Sequence, residues 1–181
     1  ENLVIEPFDG NSNLTPEGRI VFHAAQTSYR QKFVGLIDTR RQYSVHELYY
    51  EVDLGENQYF APQDFIIVQT LETVNLKSNF AMRLMHRDDS ILPRVGINDL
   101  NAGWVDPGFS GKLTVQRKSL GEGSIPQVIY AGMPVASAQV FMFKEDVKRS
   151  YGEESLGSKY SRSSRAPKSD AAEFEQLELK I

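Results

Sequence analysis

The sequence predicts an all-β domain, a sandwich or distorted barrel, on three observations. Its apolar runs are short. Punctuation is dense, with 13 Gly and 8 Pro among 181 residues. The runs between those breaks alternate apolar and polar residues at roughly ten-residue spacing, the period of half-buried strands rather than of helices.

The segments follow in chain order. VHELYYEV (45–52) fits a short helix and a strand equally well. FIIVQTLETVNL (65–76) begins after the turn signal APQD, alternates in its second half and is rich in Ile, Val and Thr, so it predicts a strand. FAMRLMH (80–86) alternates as well. KLTVQR (112–117), PQVIYA (126–131) and ASAQVFMF (136–143) are three further strands, separated by GEGS and GMP turns. At the end, EFEQLELKI (173–181) again fits helix or strand.

The composition sets limits on function. A chain of this length at 40% apolar content can build one core without staples. It has no cysteine, which excludes disulfides, thiolate nucleophiles and iron–sulfur clusters. No run approaches the roughly 18 apolar residues that a membrane helix needs. The opening ENLVIEPFDG lacks the basic start and apolar core of a signal peptide, so a soluble, cytoplasmic protein is expected. A net charge of -4 argues against a nucleic-acid surface, which rests on many Lys and Arg contacts to phosphates. A single small phosphate ligand stays open.

At about residue 152 the chain changes character. GEESLGSKYSRSSRAPKSDAA offers little to bury beyond Leu156 and Tyr160, which predicts a domain over residues 1–151 and a flexible arm over 152–181. Lys159, Arg162, Arg165 and Lys168 would let that arm close over an anion.

His23, His46 and His86 share no metal-ligand spacing, which excludes zinc-dependent base deamination, and each reads as a structural histidine. No nucleophile elbow, Walker loop or dinucleotide fingerprint occurs. Two stretches keep chemical interest. RDDSILPRVGI (87–97) places Arg94 after a Pro, where its planar fork can clamp phosphate. AGWVDPGFSGKLTVQ (102–116) sets Asp106 on a tight Pro-Gly turn, with the Phe109 ring able to face a flat ligand.

These stretches resemble the dCTP deaminase branch of the trimeric dUTPase superfamily over nearly the whole chain. LVIEPFDGNSNLTP (3–16) is similar to that family's LVIEPFD-x-x-NLQP segment. FAPQDFIIVQTLETVNLKSNF (60–80) resembles its strand pair around T-L-E. AGWVDPGFSGKLTV (102–115) is close to A-G-W-I-D-P-G-F-x-G-x-I-T-L, its most specific motif, and AGMPV (131–135) resembles its P-G-M-x-I turn. Tyr151 lies eight residues before the Lys159-Tyr160 pair, similar to the spacing of the family's nucleotide-closing arm.

The resemblance implies a dUTPase-type distorted barrel or jelly-roll-like fold, a homotrimer with shared sites, and a bound deoxynucleoside triphosphate, dCTP or dUTP. Mg2+ would be carried on its phosphates. It implies that Ser90 and Arg94 cradle phosphate and position water, that the Ala102 backbone faces the base, and that Asp106 reads the sugar beside Phe109. Tyr151, Lys159 and Tyr160 would reach base and phosphates. A protein partner is left open.

The departures from the pattern bear on chemistry. RDDSILPR is two residues longer than R-S-S-L-x-R and adds Asp88 and Asp89, while Ile20 takes the place of an Asp and Ser163 that of a Gln. Ten residues after Asp106, where the family carries its catalytic Glu, stands Gln116. An amide keeps the shape of the acid but has no proton to exchange near neutral pH. Three functions follow as expectations: conversion of dCTP to dUTP if active, a deaminase-inactive nucleotide sensor or interaction protein, or a dUTPase-type diphosphatase.

Overall fold

In a computed structural model the protein is described over residues 3–32, 35–38, 40–41, 43–55, 58–60, 64–85, 97–100, 103–119 and 126–153. The all-β expectation holds. In chain order the elements are β1 (Leu3–Glu6), β2 (Ile20–Gln31), α1 (Val45–Leu48), β3 (Tyr49–Asp53), β4 (Gln58–Phe60) and β5 (Phe65–Leu76). They continue with β6 (Phe80–Met85), β7 (Ile97–Asp99), β8 (Trp104–Val105), β9 (Ser110–Ser119), β10 (Gln127–Ile129) and β11 (Pro134–Met142). Nine strands form one curled antiparallel sheet in the order β7-β9-β5-β2-β11-β6-β8, with β1 added to β5 and β3 to β2; β10 and β4 make a separate pair.

Alternation explains β9. Leu113 and Val115 are buried, while Lys112, Thr114, Gln116 and Lys118 occupy the opposite, half-buried face. The inward set joins Phe22, Ile66, Val68, Val74, Met82 and Val135 in one core. Each such side chain stabilises the fold by about 1.5–3 kcal/mol through lost apolar surface.

The short strands β1, β4, β7 and β8 are additional to those expected from the sequence, and two further elements differ from that reading. Residues 45–52 are both alternatives in turn, one helical turn and then a strand. The Ser44 side chain and Glu47 form a capping box that starts the turn, and the backbone is extended again at Tyr49. The 12-residue β2 is absent from that reading altogether. Ile20, Val21 and Phe22 are buried in succession because neighbours cover both faces, so the alternation that marks a half-exposed strand is lost.

β2 and β5 also carry irregularities that re-aim their side chains. The β2–β5 register shifts between Ala24 and Ser28, and the β5–β9 register between Gln69 and Thr73. Inside the second shift the Thr70 hydroxyl donates to the Glu72 carbonyl at 2.8 Å and accepts from the Leu113 N–H at 2.9 Å, filling the gap in the ladder. Thr70 and Glu72 are thereby buried while Leu71 is 43% exposed, an inversion of the usual strand polarity.

Candidate functional site

The Asp106 stretch forms a hairpin whose arms part. At its root β7 and β9 pair from Ile97 with Ser119 to Asp99 with Arg117, and the Leu100 N–H donates to the Gln116 carbonyl at 3.0 Å. Beyond that point the first arm crosses to β6, pairing Trp104 with Arg83 and Val105 with Met82. The second arm pairs with β5, from Val115 opposite Val68 to Ser110 opposite Asn75. The two arms therefore part, with Gln116 beside their last shared hydrogen bond and Asp106 in the turn between β8 and β9. The six steps from Ser110 to Gln116 run roughly 20 Å at strand rise.

The tip is held from several sides. Phe109 N–H donates to the Asp106 carbonyl at 3.1 Å, Leu76 N–H to the Phe109 carbonyl at 2.8 Å, and Tyr151 N–H to the Pro107 carbonyl at 2.7 Å. Gly108 has φ +87, and a Cβ there would lie 2.6 Å from the Ser150 Cβ and 3.0 Å from the Tyr151 carbonyl oxygen, so no larger residue fits without movement. Asp106 is exposed and presents its carboxylate to solvent, an acceptor for a hydroxyl donor. Phe109 turns inward instead; its ring is 7% exposed, belongs to the core and packs on Tyr151.

Gln116 sits opposite Ile67, which is opposite Tyr29, which is opposite Glu51, so one row crosses four strands on the face away from Val115. Burial, and then the Glu51 carboxylate, push the Tyr29 hydroxyl above its ordinary pKa, which keeps it a donor. On the other face Arg117 is buried, and its guanidinium donates to the Val135 carbonyl. Ser90, Arg94, Ala102, Lys159 and Tyr160 lie outside the described residues.

A second cluster was not singled out from the sequence. Glu72, 1% exposed, accepts from the Asn13 Nδ2 at 2.8 Å and from the His23 backbone N–H at 2.9 Å, and its Oε1 lies 2.6 Å from the His23 Nδ1. Asn13 is itself fixed: it donates to the Val21 carbonyl at 2.9 Å and accepts from the Asp9 N–H at 2.8 Å. One signal could have pointed here. The T-L-E triplet puts two polar residues on the inward positions of an otherwise apolar strand, and a buried acid requires donors.

Among the described residues no group of three His, Cys, Asp or Glu side chains stands ready to hold a metal ion, and no helix is long and apolar enough to cross a membrane.

Similarity to known proteins follows the same stretches. A family model described as DCD, dCTP deaminase-like, matches residues 2–143. A Corynebacterium diphtheriae protein named dCTP deaminase, dUMP-forming, is 32% identical over 163 residues, covering 87% of this chain and 83% of that relative. Its namesake from Corynebacterium glutamicum (strain R) is 34% identical over 111 residues, 61% of this chain; the match spans 57% of the relative, little more than half its length. In three dimensions, the crystal structure of 2'-deoxycytidine 5'-triphosphate deaminase from Agrobacterium tumefaciens aligns with a TM-score of 0.60 at 15% identity. That alignment covers 78% of this chain and 43% of the other and shows a shared fold. With the family model running through the strands, the parted hairpin and the carboxylate–histidine cluster, the chain belongs to the dCTP deaminase-like family.

Proposed function

We propose that the protein binds a deoxynucleoside triphosphate, dCTP or dUTP, between the arms of the parted hairpin, and that Gln116 leaves its deamination chemistry severely weakened. The observation that supports this reading is that Gln116 and Asp106 mark the two ends of the stretch over which β8 and β9 pair with different neighbours. The sugar hydroxyl would donate to the Asp106 carboxylate, and the base would lie toward the root.

Metal-free deamination must take a proton from water as it attacks C4 and return one to the departing ammonia. A carboxylate at the root does both; the Gln116 amide does neither. The protein then acts mainly as a nucleotide-binding member of its family, a sensor or interaction module. Magnesium would come with the nucleotide, held by its phosphates.

Two features support assembly into a homotrimer with sites shared between copies. The end of β11, Gln139–Met142, is exposed at every position, and Trp104 packs on Phe141 with ring centroids 5.8 Å apart while both stay more than a third exposed. A parted hairpin open to solvent is also completed most simply by another copy. Light scattering tests this directly; a stable monomer at micromolar concentration sinks it.

The functional test is incubation with dCTP or dUTP and magnesium, with chromatography of the products and an ammonia assay, beside a calorimetric binding measurement. Saturable binding with little or no ammonia is expected. Two relatives carry the words dUMP-forming in their names, so dUMP and pyrophosphate are followed as well. Rapid ammonia release by the unaltered chain would overturn the role given to Gln116, and absence of binding would overturn the whole reading.

A further inference from the structure

A hollow of about 600 Å³ lies between the turn that precedes β2 and the start of β11. That volume falls in the range of small-molecule sites. His23 forms part of its wall with a side chain 13% exposed. Behind it, Glu72 already accepts from the Asn13 amide and from a backbone N–H. Glu72 takes the His23 Nδ1 as a third partner at 2.6 Å, which fixes the ring in the wall and leaves Nε2 as the ring nitrogen that Glu72 does not hold.

The rest of the wall describes the ligand. Leu14, Val21 and Pro134 supply apolar surface, while Glu17 and Arg19 bring opposite charges that cancel. The Thr15 Oγ1 accepts from the Arg19 N–H at 3.2 Å, so its proton is directed elsewhere as a donor. Donors and acceptors without net charge, beside apolar surface, suit a hydroxylated neutral molecule better than an anion.

We propose that this hollow is a second ligand site, in which His23, held by Glu72, accepts a hydrogen bond from a hydroxyl of a neutral sugar or nucleoside. The two sources share the hydroxyl chemistry and are separated by the probes below. This goes beyond the triphosphate reading and does not depend on it.

The test is long-range proton–nitrogen NMR of the histidine side chains in the full-length chain, titrated separately with D-ribose, deoxycytidine and inorganic phosphate. In the free protein His23 should carry its proton on Nδ1. Its Nε2 signal should move saturably with ribose or with deoxycytidine, the responding probe naming the source. Leu14→Trp changes a residue that is 43% exposed and fills the hollow without touching Glu72. It should weaken that response by about tenfold or more, at an unchanged unfolding temperature. Asp106→Ala should leave the response intact. A proton on Nε2, no movement with either neutral probe, movement with phosphate alone, or a response lost in Asp106→Ala would each overturn the proposal.

Discussion

The rings of Phe109 and Tyr151 pack with their centroids 5.6 Å apart and their planes tilted by 45°. Together with the Tyr151 N–H donating to the Pro107 carbonyl, this contact fastens the Asp106 turn to the point where the C-terminal stretch departs. The turn that would read a sugar and the residue that would begin a closing arm are thus one mechanical unit.

Gly108 lies inside that unit. In Gly108→Ala the new methyl meets the Ser150 Cβ and the Tyr151 backbone at a φ that L residues rarely adopt. The expected loss is about 1–3 kcal/mol from backbone strain alone. Urea unfolding should show a lowered midpoint with unchanged slope, and nucleotide affinity should fall as Asp106 shifts. An unaltered midpoint would mean that the turn is not clamped as described.

Removal of the Glu72 carboxylate leaves the Asn13 amide, the His23 backbone N–H and the His23 ring nitrogen without their acceptor. A buried donor left unsatisfied costs about 1–3 kcal/mol. Glu72→Ala should therefore destabilise by about 3 kcal/mol or more. Glu72→Gln should cost less, because one oxygen can still accept. Equal midpoints for the two variants in denaturant would argue that the hydrogen bonds contribute little.

Gln116→Glu would place a proton carrier at this position of β9. If that amide is the only lesion, ammonia release from saturating dCTP should rise by roughly two to four orders of magnitude, the span of general acid–base catalysis. Binding should change far less. Steady-state ammonia assays on both proteins, with Asp106→Ala as the binding control, decide it. No gain in a variant that still binds nucleotide would show that the longer 87–94 segment or Ile20 had already remodelled the site.

The single helical turn should loosen in acid. The Ser44 backbone N–H donates to the Glu47 Oε2 at 2.7 Å, and Ser44, with Arg41 adding a smaller share, holds that carboxyl below its ordinary pKa. A carboxyl depressed in the folded state contributes stability that is present above its unfolded pKa and lost as pH falls through the folded value. Amide exchange at residues 44–48 should accelerate as the pH falls from the ordinary carboxylate value toward the lower folded one, and Ser44→Ala should remove that step. Exchange rates that follow base catalysis alone across this range would contradict the cap.

How much was legible can be argued from particular residues. β9 could be read directly, because its strict alternation of buried and half-buried residues is written into neighbouring positions, and β5 because it is rich in Ile, Val and Thr and alternates in its second half. The turn at Asp106 was equally plain, since Pro-Gly dictates local backbone. The gap was β2, where cover on both faces erased the period, and with it went any sight of His23 as a partner of Glu72.

The sequence by itself determined the all-β class, the positions of its longer alternating strands, and the family. Those follow from side-chain alternation, turn chemistry and motif spacing, which are local. Tertiary structure alone decided which strands the two hairpin arms join, and that Glu72 meets His23 and Asn13, 49 and 59 residues away in the chain. A hydrogen bond depends on distances of a few ångströms, and across such separations only the sheet order and its register shifts set them.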